Sequence, residues 1–221
     1  MLIEPHCHTS EVGPCAEVPA AQAIRIHKAA GFDAVIITDH FNDYVLEAFH
    51  GSPKERVDRY LDGYRYAREE GEKLGLNVMF SLESRIVGGP EDFLVYGLDF
   101  DFVYEHPQFY SYTQEEAFKA VCEYGAIMLQ AHPCRGYCRP RDPKFLHGVE
   151  IINGNPWHNN HNDRALDWAL EHHLDIHTSG SDFHVAKDVG TGGMILEGTV
   201  RNSKEFAEYI RLHKPCKLLG K

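Results

Sequence analysis

Two histidines two residues apart, His6 and His8, close the short apolar run that opens the chain, MLIEPHCHT. Alternate side chains on a strand share a face, so both imidazoles project together while Cys7 turns away. Placed this way, they can grip one divalent cation. A lone pair of this kind fits two surface histidines equally well, and its weight comes from further residues of the same type. His40 ends ITDH, Glu83 follows the run NVMFSL, His132 follows AIMLQA, and Asp182 and His184 stand in SDFH. Each lies at or just after the C-terminal end of an expected strand, the edge where parallel α/β folds assemble their sites. Seven ligand-type side chains on one rim point to cations held by imidazole and carboxylate, and so to metal-assisted hydrolysis.

The elements that must position them follow from periodicity and stop signals. Residues 20–30 read as a helix ended by Gly31, and 34–37 as a strand buried on both faces. Residues 53–74 carry Val57, Tyr60, Leu61, Tyr64 and Ala67 near helical spacing, with Gly75 as the stop. A strand at 77–82 delivers Glu83, and shorter apolar runs follow at 93–98 and 100–104. Thr113 and Glu116 form a capping-box signature for a helix reaching Tyr124, with Gly125 beyond it. Strands at 126–130 and 149–152, a helix at 162–173 and the strand and loop DIHTSGSDFH complete the pattern. Strand and helix alternate without a linker, which implies one domain over residues 1–221: a parallel sheet with helices outside.

Composition narrows the function. With 22 Lys and Arg against 33 Asp and Glu, the net charge of −11 argues against a basic nucleic-acid surface. Fifteen histidines are an excess, several of them at the ends of apolar runs. The six cysteines are expected to be reduced, in a cytoplasmic protein without a secretory signal or membrane span. Cys134 and Cys138 lack a second pair to complete a zinc clip. No dinucleotide fingerprint, P-loop or nucleophile elbow is present in the sequence.

In order, HCHT, ITDH, the strand-terminal Glu83, AHP and SDFH resemble the PHP (polymerase and histidinol phosphatase) family of metal-dependent phosphoesterases, over residues 3–184. The resemblance implies an α/β fold built as a distorted (β/α)7 TIM-like barrel. It also implies two or three divalent transition metal ions (Zn, Mn or Fe) and a small-molecule phosphate ester as substrate, as in histidinol phosphatases. By that likeness His6, His8, Glu83 and Asp182 hold the first metal, Glu83 bridges to a second that His132 also binds, and His40 and His184 belong to a third. Two positions depart from the family pattern. Where many relatives carry a loop aspartate, the nearest acids are Glu11 and Glu17, of which Glu11 is preferred. The remaining ligand of the second metal is Asp92 or His106, with Asp92 preferred for its surrounding strand. Alternative functions are a nuclease-type phosphodiesterase and a non-catalytic metal-binding regulator.

Arg135 suits a phosphate clamp, since a guanidinium binds two phosphate oxygens at once. His184 or His40 would protonate the leaving alkoxide. Asn153, Trp157, His158 and His161 lie in a polar loop that can meet substrate. His27, His147, His172 and His173 read as structural, Cys7 as core packing, and Lys214, Lys217 and Lys221 as a solvated tail.

Overall fold

In a computed structural model, residues 1–220 are described; Lys221, the last residue of the basic tail, lies outside them. The first half runs through strand β1 (Leu2–Cys7), helix α1 (Ala20–Ala29), strands β2 (Ala34–Ile37) and β3 (His40–Phe41), helices α2 (Asp43–Ala48), α3 (Pro53–Tyr60) and α4 (Asp62–Leu74), and strands β4 (Asn77–Phe80), β5 (Leu82–Arg85) and β6 (Asp92–Tyr96). The second half follows with α5 (Phe100–Glu105), α6 (Gln114–Tyr124), β7 (Ile127–Gln130), β8 (Gly148–Asn153), α7 (Asn162–Glu171), β9 (Ile176–Gly180), β10 (Gly193–Leu196), α8 (Ser203–Arg211) and β11 (Cys216–Leu219). Helix stops fall where the sequence places them: Gly75 and Gly125 take left-handed conformations at φ 62° and 80°, and Thr113 with Glu116 forms the capping box of α6.

The α/β alternation is as expected, but the strands divide into two hydrogen-bonded sheets rather than one closed barrel. One has the order β11-β10-β1-β2-β4, the other β3-β5-β6-β7-β8-β9. Nor are they wholly parallel. β5 and β6 pair antiparallel, because VGGPE between them is a turn too short for a crossover helix. β6 with β7, β1 with β10 and β10 with β11 are antiparallel too. One further expectation needs correction. The helix expected over 53–74 breaks at Leu61, which lets Gly63 come against Thr9 and Asp39: a Cβ there would stand 2.4 Å from Thr9 Oγ1. The apolar run at 100–104 is helical, started by Asp99, whose side chain accepts from the Asp101 amide.

Alternation along the strands separates two cores. Val35 and Ile37 of β2 face the helices, while Ala34 and Ile36 face an inner cluster with Met79, Leu94 and Tyr96. Phe206, Tyr209 and Ile210 of α8 close that inner cluster at the end where the parallel strands begin. The other end is left for polar side chains.

The sheets meet along a seam between β1 and the segment after β9. The amide of His8 donates to Phe183 O (3.0 Å), the amide of Phe183 donates to His6 O (3.1 Å), and Cys7 and Phe183 form a parallel bridge. Beneath it the buried Glu4 Oε1 accepts from the amides of His6 (2.9 Å) and Ser181 (3.0 Å). Burial pushes the Glu4 carboxyl up to about 7, with those donors only partly offsetting the loss of water. Its folded value thus exceeds the unfolded one. From about pH 4.5 to 7 the folded chain keeps a proton that the unfolded chain has lost, so stability falls as pH rises through that window. Glu4→Gln, neutral throughout, is expected to raise the stability of metal-free protein by about 1–3 kcal/mol at roughly pH 8, with the gap closing near pH 4.5. Thermal denaturation at both pH values checks this; equal gaps at both would contradict it.

Candidate metal centre

Glu83 sits at the middle of the rim, fully buried, and each of its oxygens faces two imidazoles. Oε1 lies 3.3 Å from His6 Nε2 and 3.1 Å from His132 Nε2. Oε2 lies 3.3 Å from His8 Nε2 and 2.9 Å from His40 Nδ1. Asp182 faces the same group, its Oδ1 3.3 Å from both His6 Nε2 and His8 Nε2 and 3.4 Å from His184 Nδ1. Backbone register brings these residues together: β3 pairs with β5 so that His40 and Glu83 are neighbours, and the seam sets Asp182 and His184 beside His6 and His8.

The donor set fits cations. His6 Nε2 and His8 Nε2 approach to 3.1 Å, which suits two lone pairs directed at one ion better than a hydrogen bond between rings. Glu83 Oε2 and His8 Nδ1 are buried without an aligned hydrogen-bond partner, a costly state for polar atoms out of water. Three groups of ligand atoms converge within 4.8 Å: His6, His8 and Glu83; Glu83, Asp92 and His132; and His8, His40 and His184. Their electrostatics match. Burial opposes charge on Glu83, but His6, His40 and His132 hold its carboxyl well below the usual range; His6, Arg135 and His184 do the same for Asp182. His40 is raised well above its ordinary value by Glu83, against burial, whereas burial and the neighbouring His184 and His40 lower His8. Metal uptake by such a group would release the protons its imidazoles hold. Two of these residues pay a backbone cost: His132 (φ 31°) and Asp182 (φ 51°) are in the left-handed region, strain that clusters at functional sites.

The remaining expected residues separate. Asp92 groups with Glu83 and His132, though both its oxygens accept from Arg85, Nε at 3.0 Å and Nη2 at 2.7 Å. His106 instead faces the Tyr112 hydroxyl at 3.0 Å and packs on Phe102. Glu11 turns away: both its oxygens accept from the Ala20 amide (3.1 and 2.9 Å), capping α1, where Pro19 offers no side-chain cap. Glu17 reaches the cleft wall. Arg135, expected to clamp phosphate, is buried with Nε on Asn160 (2.9 Å) and Nη2 on Asn153 (3.0 Å) and Asp182 (2.6 Å). The cleft over the histidines holds about 520 Å³ and is lined also by Arg85, Tyr137, Trp157 and His158. His161 lines a separate cavity beside the loop 153–163.

Two residues go beyond those singled out. Cys15 lines the cleft with His184 and His40, whose proximity brings its thiol down to about 5 against the effect of burial. Glu150, on β8, places Oε1 2.8 Å from His6 Nδ1, while Oε2 accepts from the amide of His132 (3.2 Å) and from Asn153 Nδ2 (2.9 Å). It fixes the tautomer that frees His6 Nε2 for a cation.

Comparison with known proteins bears on the fold. A family model described as PHP-associated matches residues 159–215, the segment holding Asp182 and His184. A two-domain protein from Bacteroides vulgatus, described as containing a predicted PHP-like metal-dependent phosphoesterase, superposes with TM-score 0.71 at 18% identity, covering 100% of this chain and 64% of that one. The resemblance to the PHP family stands. PsfC from Pseudomonas syringae gives TM-score 0.68 at 18% identity, covering 100% of this chain and 91% of its own length. An amidohydrolase from Chromobacterium violaceum, solved with sulfate and without metal, gives 0.54 at 15% identity, covering 82% of this chain and 87% of that one. At such identities the likeness is one of fold, and the chain spans less than two thirds of the Bacteroides protein. No curated protein matches in sequence.

Glu150→Gln tests the site's orientation. One carbonyl cannot accept from both His6 Nδ1 and the His132 amide, so the amide nitrogen turns toward one of them, and metal affinity should fall roughly 10–100-fold. Competition with a chromophoric chelator measures it; unchanged affinity would remove Glu150 from the site.

Proposed function

We propose that this chain is a metal-dependent phosphoesterase hydrolysing a small phosphate ester through a di- or trinuclear centre of Zn, Mn or Fe. The observation that carries the reading is Glu83, one carboxylate facing four imidazoles with two oxygens, as a bridge between cations requires. His6, His8 and Asp182 would hold one cation with it, and His132 and Asp92 a second. Cations there would supply charge neutralisation at the phosphoryl oxygens and acidify water for in-line attack. His40 and His184, at the open end of the cluster, either complete a third position with His8 or, protonated, give the leaving oxygen its proton. Arg135 contributes by holding Asp182 in place. The 520 Å³ cleft suits a metabolite-sized ester better than a polymer, and the net charge of −11 also disfavours nucleic acid. Among the described residues no helix is long and apolar enough to cross a membrane. In this reading the two sheets around one cleft are the distorted barrel of the family.

Phosphate release across a panel of metabolite esters, with Mn, Zn and Fe in turn, tests the activity. The Chromobacterium neighbour's description as an amidohydrolase puts simple amides in the same panel. Turnover of esters is expected only with metal; metal binding without turnover of any ester would favour a binding protein. Glu83→Gln should cost orders of magnitude in rate and lower occupancy at two positions, since the loss exceeds the ~1 kcal/mol of an exposed ion pair, with an unchanged circular dichroism spectrum. Near wild-type metal content and turnover in that variant would defeat the multinuclear reading.

The second position has its own test. Asp92→Ala should lower metal content by about one equivalent while His106→Ala spares it, read by elemental analysis after reconstitution. The reverse pattern would move the ligand to His106.

A further inference from the structure

The third group of converging ligand atoms, His8, His40 and His184, consists of neutral donors only, and the acid expected to complete it, Glu11, caps α1 instead. We propose that Cys15 is the anionic ligand of this position, giving an imidazole–thiolate set. The proposal rests on the metal-centre reading above and adds a ligand which the family likeness does not supply.

The loop is built to present the sulfur. Val12, Ala16 and Val18 are buried and anchor it to the core, while Cys15 faces the cleft between them. Both ends are pinned by backbone: the Ser10 amide donates to Val18 O (3.1 Å), and the Glu17 amide donates to His184 O (2.9 Å), fixing the loop to the residue whose ring it must join. The turn closes with the Ala16 amide on Gly13 O (3.3 Å). Gly13 keeps the approach open, because a Cβ there would stand 3.2 Å from Cys15 Sγ and 4.0 Å from His40 Cδ2. Cys15, His40 and His184 line the same cleft. Three imidazoles and one sulfur make a donor set that zinc and cobalt accept in tetrahedral geometry.

Cobalt(II) reports a thiolate ligand through a near-ultraviolet charge-transfer band. Cys122 lies 3.6 Å from His147 Nε2 and could offer a competing thiol, so the experiment uses a Cys122→Ser background. Cobalt-loaded protein is expected to show the band. Cys15→Ser should lose it together with about one equivalent of metal, while Cys15→Asp should lose the band but keep the metal, a carboxylate replacing the thiolate. Zinc loading should also slow alkylation of Cys15 by iodoacetamide, with the exposed Cys216 labelling unchanged as the internal reference. A metal-loaded protein without the band, a band that survives Cys15→Ser, or Cys15 labelling at one rate with and without zinc each overturns the thiolate ligand while leaving the other two positions intact. Failure of the protein to bind any metal overturns the centre and this ligand with it.

Discussion

Everything at the open end of this molecule depends on keeping one carboxylate, Glu83, buried among imidazoles. Out of water a lone carboxylate is costly, and four ring nitrogens within 3.3 Å offset that cost only if cations or protons sit between them. The surrounding framework reads as support for this arrangement. Glu150 orients His6, Arg135 holds Asp182, and Arg85 holds Asp92, so several ligand-type side chains are fixed by a partner that is itself buried or paired. Rigidity of this sort lets a site accept ions without first paying to order its ligands.

The motifs were legible because they are local. HCHT, ITDH, AHP and SDFH each place a ligand-type residue at the end of an apolar run, and alternation along a strand settles which neighbours share a face. Helix stops at Gly75 and Gly125 were equally plain, since a residue that must adopt positive φ announces itself. What sequence could not supply was pairing over distance. Glu150 is 144 residues from His6, and nothing near it in the chain marks it as that ring's partner. The partners of Arg135 were hidden for the same reason, lying 18 to 47 residues further on, while its guanidinium still lines the cleft.

The loop after HCHT shows a second kind of limit. Glu11 was preferred over Glu17 on proximity to His8, yet the first turn of α1 follows Pro19 and lacks a cap of its own, and Glu11 is the acid within reach. A helix with an unmet amide competes for the same carboxylate as a cation. The antiparallel pairing of β5 and β6 departs from the parallel sheet that alternation implies, because the short VGGPE turn leaves no room for a crossover helix.

The seam carries a consequence for how the protein is made. Glu4 and Ser181 are tied directly although 177 residues separate them, and His6 and His8 meet Asp182 and His184 only through that closure. Chain emerging from a ribosome presents the first pair of imidazoles long before the last two ligands exist. During that interval the site is half a site, able to catch a stray ion but not to hold it in the final geometry. So long-range a closure belongs to the slower class of folding reactions, and loading with the right metal would thereby wait until Asp182 and His184 have been made.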